Sequence, residues 1–284
     1  MRIALIGAGG QLGTALMARL EEEVLPLGSR DLDIADPEQV QRVIPELRAE
    51  LVINTAAYNF VDKAEDEAER ARAVNETGPK LLAETCARLD IPLVHIGTDY
   101  VYGGAHPHPH PRPYVETDPA TPSSVYSRSK LAGEQAVIAH CPKHYVLRTC
   151  GLYGRAVSAG KGNFVQTMLR LGRERGAVSV VDDQWCTPTF ATDLAGAIAD
   201  LITTGKYGLY HATNSGSTTW CGFAREIFRL QGMAVPVTPI TTAQFKAKAA
   251  RPSYSVLDCA KLTNVLGRQL RSWHDALAEY LATT

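Results

Sequence analysis

The chain has 284 residues, enough to bury a full core as one large α/β domain or as a core with a smaller lobe, and two lobes are expected. Its 29 basic and 30 acidic side chains leave a formal charge of −1. That balance gives no general pull toward nucleic acid or anionic lipid, so any phosphate affinity must be local.

No uninterrupted apolar run approaches membrane-spanning length, and the first residues read as a strand, not as a charged segment followed by an apolar stretch. A soluble, cytoplasmic protein is the expectation, without nucleic-acid or membrane partners. Arg2 to Ile6 is an apolar run of strand length, the turn Gly7-Ala8-Gly9-Gly10-Gln11-Leu12-Gly13 follows at once, and Thr14 to Leu20 reads as a helix. The spacing G-x-x-G-x-x-G through Gly7, Gly10 and Gly13 suits a tight turn, a close backbone approach to pyrophosphate and close helix packing. Helix amides would then face the anion, with Gln11 and Leu12 in the cradle. In this strand–turn–helix setting the motif predicts dinucleotide binding.

A second strand is expected at Glu23 to Leu27, and a helix capped by Asp36 with Pro37 at its first position. Leu51 to Asn54 reads as a third strand, 64–88 as helical and Leu93 to Ile96 as a fourth strand ending at Gly97-Thr98-Asp99-Tyr100. This alternation predicts a parallel sheet covered on both faces, with ligands at the carboxyl ends of the strands, where Gly7, Ala56 and Thr98 fall. The run Val125 to Ile138 is expected to be a helix, followed by a strand at His144 to Arg148. Beyond it the rhythm loosens. Phe164 to Arg175 reads as a helix, Val178 to Val181 as a strand outside the main sheet, Phe190 to Leu194 as a helix start capped by Thr192 or Asp193, and Gly208 to Ala212 as a returning strand. The predicted division is 1–150 for a dinucleotide-binding core and 151–284 for a substrate lobe, with 186–214 returning to the core.

Six cysteines are scattered without C-x-x-C spacing, which favours buried thiols over a zinc site or disulfide framework. The alternating His-Pro run at 106–111 reads as an extended, solvated loop.

Tyr126 and Lys130 stand four residues apart. On a helix they share a face, and a cation beside the phenol would lower its pKa from the usual value of about 10. With the glycine turn upstream and Thr98-Asp99-Tyr100-Val101-Tyr102 between, the chain resembles the extended short-chain dehydrogenase/reductase family. Further family-like runs are Val52 to Ala57, Val61 to Glu65, Val74-Asn75, Asp183-Gln184 with Thr187 to Thr189, and Arg251-Pro252 with Leu257-Asp258, so the resemblance spans nearly the whole length.

The resemblance implies a doubly wound Rossmann core. It makes Tyr126 the general acid, Lys130 the residue that contacts the nicotinamide ribose and tunes Tyr126, and Thr98 the group that holds the carbonyl. The chemistry agrees, since hydride addition to a ketone builds an alkoxide that needs a polarising donor and a proton. Asn75 resembles a family asparagine near the cofactor, with a helix or turn cap as the equal alternative. Ala56, Ala57, Tyr58, Asp33 and Ile34 complete the expected cofactor contacts. Val61, Asp99, Tyr100, Asn163 and Arg251 are expected at the substrate, with Lys161 and Arg170 as further candidates for its nucleotide end.

At the end of the second strand an acid would suit the ribose of NAD and an arginine a 2′-phosphate. The run here is Gly28-Ser29-Arg30, so Ser29 and Arg30 favour NADPH, with NADH as the alternative because Asp31 is adjacent. Two departures from the family pattern stand out. Gly151 occupies a position that usually carries a sugar-stacking tryptophan, for which Trp185 is the candidate substitute. Ala15 occupies the position of a glutamate through which some relatives bind magnesium at a dimer contact, so no metal is expected.

The implied function is reduction of a nucleotide-linked 4-ketodeoxyhexose in polysaccharide synthesis, with dTDP-4-dehydro-L-rhamnose the first choice and a homodimer the expected assembly. The alternatives are a reductase or epimerase/reductase of another nucleotide sugar, and a non-catalytic NADP-binding regulatory subunit.

Overall fold

The structure is a computed structural model that describes residues 1–104, 112–156 and 162–283. The His-Pro run 106–111 and Lys161 lie outside these residues.

Strands β1 (Arg2–Ile6), β2 (Glu23–Leu27), β3 (Leu51–Asn54), β4 (Leu93–Thr98) and β5 (His144–Thr149) enter one sheet with β10 (Gly208–His211), in the order β10-β5-β4-β3-β1-β2. Every pairing is parallel. β3 is buried along its whole length, as expected of a strand covered on both faces. Helices α1 (Gln11–Arg19) and α7 (Ala191–Ile202) pack together on one face, while α2 (Pro37–Glu46), α4 (Gly78–Arg88) and α5 (Val125–His140) cover the other. Strand order reverses between β1 and β3, so the crevice above their carboxyl ends is the ligand position of a doubly wound sheet.

Local chemistry accounts for several of these elements. Asp36 caps α2 by accepting from the amides of Glu38 and Gln39 at 2.9 and 3.2 Å. Ser124 and Ser127 form a reciprocal capping box that starts α5 one residue before Tyr126. Two expectations are corrected. The helix predicted over 64–88 is broken into a 3₁₀ turn (Lys63–Glu65), α3 (Ala68–Arg72), a π turn (Ala73–Thr77) and α4. Pro79 lacks the amide that would bond to the carbonyl of Asn75, and the ladder widens there. That carbonyl faces Gly133 of α5, where a Cβ would overlap it. The second correction concerns α7, which neither Thr192 nor Asp193 caps. Its N-cap is Phe190 without a side-chain bond, and Asp193 instead pairs with Arg271 and accepts from Asn214.

The smaller lobe combines short ribbons and helices. β6 (Leu152–Tyr153) pairs with β9 (Thr189–Phe190), β7 (Val178–Val181) with β12 (Val237–Ile240), and β8 (Trp185–Cys186) with β11 (Thr218–Thr219). Around them stand α6 (Phe164–Arg175), α8 (Trp220–Leu230), α9 (Thr242–Phe245), α10 (Ala260–Leu266) and α11 (Trp273–Ala282), and Tyr153, Phe190, Phe223 and Tyr280 fill a second core. α10 returns to the main sheet beside β10.

Candidate active site

A cavity of about 500 Å³ opens where the carboxyl ends of β1, β3, β4 and β5 meet the smaller lobe. The glycine turn forms its floor. Gly7 has φ +80, and a Cβ there would stand 2.7 Å from Thr55 Oγ1 and 2.8 Å from the Ala56 amide. A Cβ on Gly13 would overlap the Gly7 carbonyl, so this approach of helix to strand needs glycine at both positions. Gly10 caps α1 with no side-chain hydrogen bond, which leaves the first-turn amides to an anion. These features fit the pyrophosphate of a dinucleotide.

Thr98 ends β4, and its hydroxyl oxygen accepts from the Tyr100 amide at 3.2 Å, starting the 3₁₀ turn Asp99–Tyr102. Tyr126, on the first turn of α5, lines the same cavity as Thr98 and meets the edge of Tyr100, ring centroids 5.9 Å apart. Lys130 lies one turn further on and donates to the Ile96 carbonyl at 2.6 Å.

In the free protein the Tyr126 phenol stands above its ordinary value, not below it. Burial pushes the Tyr126 phenol up to about 12, the Thr98 hydroxyl opposes this, and the charge of Asp99 adds to it. Lys130 is itself depressed to about 8 by burial, against the pull of Glu134. Only 8 % of Tyr126 and 3 % of Lys130 is exposed, so desolvation sets the direction of both shifts, and the ammonium is committed to a backbone carbonyl. A neutral phenol is the form that donates a proton.

Lys130→Met is therefore expected to stabilise the free protein by up to about 3 kcal/mol below pH 8. In that range lysine is charged folded and unfolded, and the full burial cost stands. As pH rises from about 8 toward 10.5 the folded state releases its proton first, so the gap between variant and wild type closes. Thermal melts of both proteins across that range test this. A gap that widens with pH would refute it.

The neighbours of Asp99, Ser255 and Cys150, were not legible in the sequence. Asp99 is fully buried, and its carboxyl rises to about 6 because desolvation exceeds the hydrogen bonds from Cys150, Ser255 and Thr98. Ser255 donates to it at 2.5 Å across 156 residues of chain. The Cys150 thiol also meets Cys186, and burial holds it well above its ordinary pKa. All six cysteines are free thiols, five of them buried.

Of the predicted residues, Gly10, Gln11, Leu12, Ala57, Val61, Thr98, Asp99, Tyr100, Tyr126, Lys130 and Asn163 line the cavity. The others stand behind or beside it. Asn75 is no cap: its side-chain oxygen accepts from the Tyr58 amide at 2.8 Å, and its Nδ2 donates to the Tyr58 carbonyl and Ser129 Oγ, both at 3.1 Å. It clamps the segment after β3 to α5. Asn163 caps α6 while donating to the Gly154 carbonyl at 2.8 Å. Ser29 and Arg30 are exposed on the turn after β2, where Asp31 is engaged with the Gly28 amide at 2.8 Å. Asp33 accepts from the Ala35 amide, and the Ile34 side chain is buried in the core.

Arg251 makes a two-pronged bond to Asp62 at 3.0 and 2.9 Å and also donates to the Ala249 carbonyl at 3.0 Å. Arg170 is paired with Glu174 on the exposed surface of α6, so it does not reach the cavity. Trp185 is 47 % exposed and absent from the lining, whereas Trp220 lines it beside Gly151. Among the described residues no cluster of three His, Cys, Asp or Glu side chains is placed to hold a metal ion.

A family model described as the RmlD substrate binding domain matches residues 1–284. The dTDP-4-dehydrorhamnose reductase of Mycobacterium tuberculosis (strain H37Rv) is 44 % identical over 99 % of this chain and 92 % of its own length. A probable dTDP-4,6-dihydroxy-2-methyloxan-3-one 4-ketoreductase of Streptomyces antibioticus is 42 % identical over 98 % of this chain and 94 % of its own. The crystal structure of the Bacillus anthracis dTDP-4-dehydrorhamnose reductase in complex with NADP superposes with a TM-score of 0.93 at 39 % identity, covering 100 % of this chain and 99 % of that one. On sequence and fold together, the chain belongs to the RmlD substrate binding domain family.

Proposed function

We propose that this chain is an NADPH-dependent reductase of the C4 ketone of dTDP-4-dehydro-L-rhamnose, yielding dTDP-L-rhamnose for polysaccharide synthesis. The observation that carries this reading is that Thr98, Tyr126 and Lys130 line the same cavity as the glycine turn. Bound NADPH supplies the hydride. Thr98 orients the carbonyl oxygen, Tyr126 gives its phenolic proton to the oxygen as negative charge builds, and the Lys130 ammonium holds the ribose and stabilises the phenolate left behind. Asn75 keeps the segment bearing Ala57 and Tyr58 against α5. Residues 1–150 serve mainly as the cofactor core and 151–284 mainly as the substrate lobe, with 186–214 returning to the core. The protein acts as a cytoplasmic enzyme and a homodimer; among the described residues no helix is long and apolar enough to cross a membrane.

Turnover of NADPH with a panel of nucleotide 4-ketosugars tests the assignment. Tight cofactor binding with no turnover of any sugar would favour a regulatory subunit. A different deoxysugar is the second reading, motivated by Gly151 and by the name of the Streptomyces antibioticus relative. Arg30 supports the cofactor choice, because an exposed guanidinium beside β2 can pair with a 2′-phosphate in two-pronged fashion. Arg30→Ala is expected to weaken NADPH binding about tenfold and leave NADH unchanged. Equal NADPH affinity in variant and wild type, measured by calorimetry, would remove that role.

A further inference from the structure

We propose that the indole of Trp220 is the wall against which the substrate's hexose packs, so that this residue, reaching over Gly151, sets which 4-ketosugar is accepted. The inference rests on the reductase reading above. Gly151 has φ +53, and a Cβ built on it would stand 3.1 Å from Trp220 Cη2 and 3.3 Å from Pro188 Cα. A side chain at 151 and the indole compete for one space, and here the indole holds it. Trp220 is half-buried and lines the cavity that contains Thr98 and Tyr126.

Its position is held from behind and from below. Phe164 packs on it with ring centroids 4.8 Å apart, and Phe223 stacks on Phe164 in turn. Trp220 is the first residue of α8, whose cap Thr219 accepts from the Gly222 amide at 3.0 Å and donates to Asp182 at 2.5 Å. The β8–β11 ribbon leads directly into that cap. The ring is thus pre-positioned, with its free surface toward the cavity. A pyranose presents C–H groups on one face, and a rigid aromatic surface buries that face while the ring hydroxyls bond elsewhere. With the ketone held at Thr98 and Tyr126, Trp220 provides such a surface on the smaller-lobe side of the cavity.

Calorimetry with dTDP and dTDP-L-rhamnose on the NADP-loaded protein tests this, comparing wild type with Trp220→Ala and Trp220→Phe. The affinity advantage of the sugar nucleotide over dTDP is expected to fall by about tenfold in the alanine variant and to recover within about threefold of wild type in the phenylalanine variant. Binding of dTDP alone and of NADPH should not move. Sugar-dependent quenching of tryptophan fluorescence should disappear in Trp220→Phe although binding persists. An alanine variant that keeps the sugar's full advantage, or loses dTDP affinity equally, overturns the proposal. A wild-type protein that neither binds dTDP-L-rhamnose nor oxidises NADPH with any nucleotide 4-ketosugar defeats the reductase reading and takes this inference with it.

Discussion

Tyr126→Phe is expected to lower kcat by roughly 10³-fold while leaving cofactor binding and the fold intact. The substitution removes one oxygen. The ring still meets Tyr100 edge-on, and the capping box that starts α5 is untouched. What is lost is the proton donor that shares the cavity with Thr98. The pH profile separates this role from a packing role. Reduction uses the protonated phenol, and burial holds that group near 12, so its loss of a proton does not limit the free protein in the neutral range. The alkaline limb of kcat/KM should instead lie near 8, where Lys130 loses its charge. Steady-state rates of NADPH oxidation across pH read both quantities. A phenylalanine variant within tenfold of wild type would remove Tyr126 from the chemistry, and a limb that stayed in place in Lys130→Arg would detach it from Lys130.

Glu134→Ala is expected to destabilise the fold by about 3–5 kcal/mol, a fall in Tm on the order of 10 °C. Glu134 on α5 and Arg148 on β5 form a two-pronged ion pair whose side chains are 2 % and 5 % exposed. Arg148 also donates to the Tyr102 hydroxyl at 2.5 Å, and that oxygen lies 3.0 Å from His211 Nε2 on β10. Removing the carboxylate leaves a guanidinium in a site that water does not reach. Replacing both partners by methionine should cost far less, because no unpaired charge then remains buried. Thermal or urea melts of the two single variants and the double variant close the cycle. A double variant as unstable as the sum of the singles would contradict the argument. Glu134 lies one turn from Lys130 and raises its pKa, so the conservative Glu134→Gln should also shift the alkaline limb of kcat/KM to lower pH.

Much of the fold was legible in the sequence, because it rests on short-range rules. Five apolar runs of strand length, a cap of Asp36 with Pro37, and a glycine turn between strand and helix each act within a few residues. The six parallel strands and the cavity at their carboxyl ends follow from that alternation. Where a local rule met a distant partner, the reading failed. Asp193 looked like a helix cap and is taken by Arg271 and Asn214; Trp185 looked like the spare aromatic wall and lies on the surface, while Trp220 occupies the cavity.

By itself, then, the sequence determined which groups meet at the cavity: a glycine cradle, a hydroxyl at a strand end, and a phenol and ammonium one helical turn apart. Only the tertiary structure decided their state. Asp99 owes its raised pKa to burial among Ser255 and Cys150, and Tyr126 and Lys130 shift in opposite directions for the same reason. Spacing along a chain sets which side chains share a face. The cost of charging them depends on how much water the rest of the fold excludes, and that is settled by residues up to 156 positions away.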